Sequence, residues 1–281
     1  MEKVIIHGGF FSESSTDDIT KAAKQEAVKD IVKQAYDYLA SHSALETVIY
    51  AVGLLEDNPL FNAGIGSQIQ SDGKIRMSAA IMDGTTQKMS GVINIEDVKN
   101  PIYVAQKLID YDDRVLGGEG ALQFARKQGF QPFLTETEER RAEYEKKLAA
   151  KGQGTVGCVA LDSNGKIAAA TSTGGKGFEM VGRISDSATV AGNYANEFCG
   201  VSCTGVGEDI VSNATAAKIV TRVTDGMPVK TAFTKTFEEL KPYDGFCGAI
   251  AIDASGNMHH QDSHPMMVFA SYDGKEFTVF D

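Results

Sequence analysis

The sequence predicts an α+β fold in which mainly antiparallel sheets are layered with helices. Two apolar runs of strand length, TVGCVALD and KIAAATST, flank Ser163-Asn164-Gly165, a strong hairpin signal. GAIAIDASGNMHH repeats that arrangement near the C-terminus, with Ser255-Gly256 at the turn. Strands, helices and strands follow one another in each half, the order of a layered α+β protein. The two hairpins are alike locally, but no fixed-period repeat runs through the chain.

Each element has its own warrant. KVIIHGG reads as a buried strand ending at a glycine turn. A helical pattern from Ile19 to Leu39 puts Val28, Ile31, Val32, Ala35 and Leu39 on one face, with Thr16 or Asp17 as its cap. A second helix runs from Leu45 to Leu55. EDNPLFNAGIGS then breaks the pattern and marks a structured loop. SDGK, with Asp72-Gly73, suits a hairpin between short strands, and MSAAIMDG reads as a strand and turn. Pro101 stands near a helix start in NPIYVAQKLID, and GGEGALQFARKQG is a helix preceded by glycines. TETEERRAEYEKKLAAKGQG is dense in mixed charge and nearly free of large apolar residues, as an exposed helix or linker would be. Two further helices are expected at Asp209–Thr224 and Val229–Leu240.

Composition narrows the classes of function. The chain has 281 residues, of which 42% are hydrophobic and 23% charged, enough for a sizeable globular core. A net charge of -11 and a pI near 5.0 argue against nucleic-acid and anionic-membrane partners, which require clustered Lys and Arg. The N-terminal apolar run is too short for a signal-peptide core, and no 18-residue apolar stretch occurs, so a cytoplasmic location is expected. Cys158, Cys199, Cys203 and Cys247 show neither CxxC spacing nor a histidine pattern. They read as buried small hydrophobes in a reducing compartment rather than as a zinc site.

The chemistry gathers at GQGTVG, where a strand starts on Thr155 directly after the charged stretch. Threonine is an ordinary strand former, but the position changes its meaning. Cleavage between Gly154 and Thr155 would leave Thr155 with a hydroxyl and a free α-amine of pKa about 7.7–8.0. One residue would then be both nucleophile and base. Gly154 has no side chain to block attack of that hydroxyl on its own carbonyl, so self-cleavage by an N-to-O acyl shift is sterically open. TSTGG brings Thr171 and Thr173 back beside Thr155 on one face of the returning strand, and spacing alone does not choose between them. GRISDS sets Arg183 and Asp186 three apart, suited to a carboxylate and an amine, or to a plain surface ion pair. SCTGVGE offers the Thr204 hydroxyl and the Gly205 N–H as oxyanion donors, or simply a turn into a helix.

Taken together, GTVG.VALD..G..AAATSTGG, GR...DS, YAN and TG.GE resemble the plant-type asparaginase and isoaspartyl peptidase family of N-terminal-nucleophile hydrolases. HGG, LLEDNPLFNAGIGS, IMDG, NP...A..L and GEGA..FA look like that family's first subunit, in the right order. The resemblance implies a four-layer αββα sandwich. It implies a first subunit of residues 1–154, including a charged linker from about 130, and a second of residues 155–281, together one structural domain. Thr155 would be the nucleophile freed by autoproteolysis, and Thr173 its hydrogen-bond partner. Arg183 would bind the substrate α-carboxylate, Asp186 its α-amine, and Thr204 and Gly205 the oxyanion, with Asn62 supporting the site. A sodium ion would sit on main-chain carbonyls of Leu55, Glu56, Asn58, Phe61, Ala63 and Ile65. No cofactor would be needed for the chemistry, and a homodimer of the cleaved unit is implied.

The sequence also departs from that pattern. After HGG comes FFSES in place of a glycine-rich continuation. GRISDSA carries Ser185 for Gly and Ala188 for Pro, and Ser78 stands where an Asp is common. HHQDSHPMM replaces the family's segment after the last hairpin, leaving His260, Asp262 and His264 without a role to inherit and reading as a solvated face. The expected activity is hydrolysis of β-aspartyl amides, either L-asparagine or isoaspartyl dipeptides, through an acyl-enzyme on Thr155. Cleavage of an N-linked sugar from asparagine, the glycosylasparaginase reaction, would use the same machinery. An unprocessed member acting as a binding protein, with GGEG or TGVGE at helix starts as anion sites, is the alternative of another class.

Overall fold

The computed structural model describes residues 2–11, 18–146 and 154–281. Strand β1 (Lys3–Phe10) is buried along nearly all its length. Helix α1 (Asp18–Leu39) turns Val28, Ile31, Val32, Ala35 and Leu39 inward, the stripe its spacing predicts. Its expected caps, Thr16 and Asp17, lie outside the described residues. Helix α2 (Ala44–Glu56) opens with a reciprocal capping box between Ser43 and Glu46. Strands β2 (Met77–Asp83) and β3 (Lys88–Ile95) precede α3 (Pro101–Leu108), which starts on its proline. Then come β4 (Val115–Gly117), α4 (Gly118–Lys127) and α5 (Glu138–Glu145). Helix α5 buries no residue, as its mixed charge leads one to expect.

The second half begins with the hairpin of β5 (Thr155–Leu161) and β6 (Ile167–Thr173). Gly165 supplies the positive φ, +74°, that the turn requires. Strands β7 (Asn193–Ala195) and β8 (Cys199–Gly205) lead into helices α6 (Gly207–Asn213), α7 (Thr215–Thr224) and α8 (Val229–Glu238). Strands β9 (Cys247–Asp253), β10 (Met258–Asp262), β11 (Met267–Tyr272) and β12 (Phe277–Val279) complete the described elements.

Two sheets result. The larger has the order β12-β11-β1-β5-β6-β2-β3-β4 and the smaller β10-β9-β8-β7. All these neighbours run antiparallel except β3 and β4. Adjacent residues of β6 show what lies on each face of the larger sheet. Ser172 Oγ donates to Glu56 Oε1 of α2 at 2.6 Å, whereas Thr171 Oγ1 lies 2.7 Å from Ser202 Oγ of β8. Strand alternation therefore puts helices on one face and the smaller sheet on the other. The far face of the smaller sheet buries Val201, Cys203 and Ala249 against Ile219, Val220 and Phe233 of α7 and α8. All four cysteines are free and buried, as expected of small hydrophobes.

Two expectations need correction. The helix predicted from Asp209 to Thr224 is two helices broken at Ala214, which takes a left-handed conformation with φ 51°. Asn213 Nδ2 donates to Thr215 Oγ1 across the break, a local side-chain bond that competes with the helical ladder. The turn at Asp72-Gly73 forms, but no strands flank it directly, and β2 starts only at Met77. Arg76 instead holds the segment by donating to Asp72 and Gln70. Among the described residues no helix is long and apolar enough to cross a membrane.

Candidate active site

The register of the β5–β6 hairpin pairs Thr155 directly with Thr173. The Thr155 hydroxyl donates to Thr173 Oγ1 at 3.3 Å, and the Thr173 hydroxyl donates to the Gly154 carbonyl, also at 3.3 Å. A relay of two hydroxyls thus runs from Thr155 to the carbonyl that precedes it. Gly175 N–H also donates to Thr173 Oγ1 at 3.2 Å and fixes that side chain. Thr171 lies two pairs further along, opposite Gly157, and its bond goes to Ser202. The geometry therefore selects Thr173 from the two candidates.

Strand β8 approaches from the other sheet and points Thr204 at the same spot. Thr155 N–H donates to Thr204 Oγ1 at 3.4 Å. Gly205 follows with φ +136°, a conformation that L side chains rarely adopt. Phe246 braces this turn, its carbonyl accepting from Val206 N–H at 2.9 Å. Thr155, Thr173 and Thr204 are all buried.

Gly154 is held between two loops. A Cβ on Gly9 would stand 2.6 Å from Gly154 Cα, and one on Gly154 would stand 2.8 Å from Asn62 Cβ. Asn62 is itself fixed: its Oδ1 accepts from Gln68 N–H at 2.9 Å and its Nδ2 donates to Gly175 O at 2.5 Å. Only glycines permit this approach around the Gly154–Thr155 bond.

Arg183 and Asp186 converge on the helix start that follows Gly205. Arg183 does not hydrogen-bond Asp186; its guanidinium grips Glu208 through Nε and Nη2, both at 3.0 Å, and Lys176 Nζ joins at 3.3 Å. Burial would push the Glu208 carboxyl up, but the Arg183 hydrogen bonds overcome it and hold it at about 2. Asp186 is buried, and desolvation raises its carboxyl to about 7 against the pull of Arg183. Its Oδ2 has no partner among the described residues. Gly207 makes room for both groups: a Cβ there would stand 2.6 Å from Arg183 Nη2 and 2.9 Å from Asp186 Oδ1. The result is a buried carboxyl oxygen without a partner beside an arginine fork, an arrangement that can receive an ammonium and a carboxylate.

Three residues to which the sequence reading gave no role belong to this region. Glu208 ends the TG.GE motif, but its spacing from Arg183 gave no sign of the pair they form. His7 and Ser202 carried no signal either. His7 Nε2 lies 2.8 Å from Ser202 Oγ, which also meets Thr171, so a buried polar chain joins the sheets below Thr155. Burial, partly offset by the Thr155 backbone, lowers the His7 imidazole to about 3 and keeps it neutral.

Of the expected solvated face, His260 is exposed and Asp262 and His264 are half-buried, but all three also make defined contacts. His260 stacks on Phe269 with ring centroids 3.8 Å apart and His264 on Phe246 at 4.6 Å, while Asp262 Oδ2 accepts from Met267 N–H. Aromatic faces were available to both imidazoles, and strand alternation alone does not reveal that.

The family model described as Asparaginase matches residues 1–280. The isoaspartyl peptidase/L-asparaginase of Synechocystis sp. is 44% identical to this chain, covering 97% of it and 88% of that protein. The plant-type L-asparaginase of Thermococcus kodakarensis is 39% identical, over 96% of each chain. The isoaspartyl peptidase of Escherichia coli is 38% identical, over 83% of this chain and 80% of its own.

Proposed function

The chain belongs to the asparaginase family, and on that premise we propose that it is a self-processing threonine amidohydrolase acting on β-aspartyl amides. The observation that carries this reading is the hydroxyl relay from Thr155 through Thr173 to the Gly154 carbonyl. In processing, Thr155 Oγ1 attacks the Gly154 carbonyl carbon, and its proton passes through Thr173 to the Gly154 oxygen and from there to the amide nitrogen as the tetrahedral intermediate collapses. The C–N bond breaks, the nitrogen becomes the Thr155 α-amine, and water hydrolyses the resulting Gly154 ester. Two subunits, 1–154 and 155–281, remain folded together in a four-layer αββα sandwich; the helix-covered faces of the two stacked sheets support that architecture.

The mature site then repeats the chemistry on substrate. Arg183 takes the α-carboxylate and Asp186 the α-ammonium, which leaves the side-chain carbonyl at Thr155. The α-amine accepts the hydroxyl proton as Oγ1 attacks. Thr204 and the Gly205 N–H receive the oxyanion. The ammonium formed on Thr155 protonates the departing nitrogen, and water, activated by the same amine, releases aspartate from the ester. Synechocystis and Thermococcus relatives named isoaspartyl peptidase/L-asparaginase and plant-type L-asparaginase support both asparagine and isoaspartyl peptides as substrates.

We place a structural sodium ion on the main-chain carbonyls of Leu55, Glu56, Asn58, Phe61, Ala63 and Ile65. Main-chain oxygens suit a hard cation; of the six, Phe61 O faces Gly66, where a Cβ would stand 2.9 Å from it, while Glu56 O also accepts from Ile65 N–H at 2.8 Å. The ion would brace Asn62 and supply no chemistry.

Intact mass spectrometry after incubation at neutral pH tests the reading. Two fragments, the second beginning at Thr155, with release of aspartate from a β-aspartyl dipeptide, is the expected result. A chain that hydrolyses the dipeptide while remaining intact would overturn it.

A further inference from the structure

Two of the segments in which this sequence departs from the family pattern meet in space. Phe10 follows the HGG motif, and His264 lies in HHQDSHPMM. Phe246 stands between them: its ring is 4.6 Å from that of Phe10, edge-on, and 4.6 Å from that of His264, stacked. The backbones are tied as well. Phe11 N–H donates to Met266 O at 3.3 Å and Ser263 N–H to Cys247 O at 2.8 Å. The three rings form a column that starts at buried Phe10 and ends at His264, whose side chain is 35% exposed.

The column begins beside the site: the Phe10 ring lies over Gly248, where a Cβ would stand 2.8 Å from its Cζ, and Gly248 pairs with Thr204. Gly9, next to Phe10, is so close that a Cβ on it would stand 3.2 Å from Thr155 N. Phe246 is the residue whose carbonyl holds the turn after Gly205. Arg183, Asp186 and Glu208 lie across that turn, at the start of α6.

Given the functional reading above, on which this inference rests, the direction of the leaving group follows. The Thr155 amine must protonate the departing nitrogen, so that nitrogen lies on the side of Thr155 N, between Gly9 and Thr204. The side of Thr155 N is the Gly9–Phe10 side. We infer that Phe10, Phe246 and His264 wall the leaving-group subsite and select β-aspartyl peptides whose second residue is aromatic or large and apolar. Such a residue gains ring contacts along the column, which ammonia and glycine cannot make. The preference resides in binding, so it appears chiefly in KM.

The test compares kcat/KM for β-aspartyl-phenylalanine and β-aspartyl-glycine in the processed wild type, His264→Ala and Phe246→Leu. Each protein is first shown to yield its two fragments, so that misfolding is separated from loss of selectivity. The wild type is expected to favour the phenylalanine peptide, and both variants to lower that ratio by about tenfold, mostly through KM. A wild type without preference, or a ratio unmoved by both variants, would overturn the subsite while leaving the hydrolase reading intact. Failure of the processed wild type to cleave either dipeptide would overturn the functional reading and the subsite with it.

Discussion

Arg183 and Glu208 are joined fork to fork, with Nε and Nη2 each 3.0 Å from a carboxylate oxygen. Glu208 thus holds the guanidinium extended beside Asp186. A substrate carboxylate arriving there meets a cation already aimed and partly neutralised. Arg183 makes no contact with the Gly154–Thr155 bond, so Arg183→Ala is expected to process normally. Its KM for asparagine should rise by roughly 10- to 100-fold, the worth of a lost charge-assisted bond, with a smaller fall in kcat. Steady-state kinetics on the processed variant decide it; an unchanged KM would remove Arg183 from the anchor.

Thr155 and Thr173 should separate by severity. Thr155→Ala removes the nucleophile for both reactions, so a single uncleaved chain without turnover is expected. Thr173→Val keeps the shape and deletes the relay hydroxyl, which the Gly154 carbonyl also uses. Processing should slow by about 100-fold, the scale of a lost proton-transfer group. The time course of fragment appearance on a gel measures it, and a rate equal to wild type would show that the relay does not operate.

The buried Asp186 carboxyl should make binding pH-dependent. Desolvation raises it to about 7, so the unliganded site is increasingly protonated below neutrality. A neutral carboxyl no longer attracts the substrate ammonium. Affinity for L-aspartate, which carries both groups Arg183 and Asp186 address, should weaken by about tenfold per pH unit below 7, a limit set by one required deprotonation. Calorimetric titration from pH 5 to 8 reads this directly. Asp186→Asn should flatten the profile, and a steep profile in that variant would assign the titration elsewhere.

Much of the site was legible because its chemistry is local. Thr155 opens a strand, its hairpin partner follows a turn signal, and strand alternation narrows that partner to Thr171 or Thr173, between which the observed register chooses. Arg183 and Asp186 announced themselves by type and spacing. The less legible parts depend on contacts between distant elements. CGVSCTG, the strand that carries Thr204, alternates small residues and gives little hydrophobic periodicity, because it lies between two buried layers. Gly157 closes the GTVG run for a reason that distant strands supply: a Cβ there would collide with Ser202 and His7. Ala214 broke a helix that periodicity had drawn through it, and the His264 stack needed the fold to bring Phe246 across.

Glu56 offers a prediction about stability. It is fully buried on α2, with Oε1 accepting from Ser172 Oγ at 2.6 Å and from Ile102 N–H at 3.1 Å. Its Oε2 has no partner among the described residues. Desolvation outweighs those bonds and raises the carboxyl from 4.5 to about 8. A folded-state pKa above the unfolded value means that the folded protein binds the extra proton between those limits. The stability this confers is complete below about 4.5 and is lost as pH rises through about 8. Glu56→Gln keeps an oxygen acceptor for Ser172 and Ile102 but cannot ionise. Its melting temperature should therefore fall less than that of wild type between pH 6 and 9, by about 2–4 °C for each kcal/mol of linkage removed. Scanning calorimetry of both proteins across that range tests the point. Parallel curves would mean that Glu56 stays in one protonation state throughout that range.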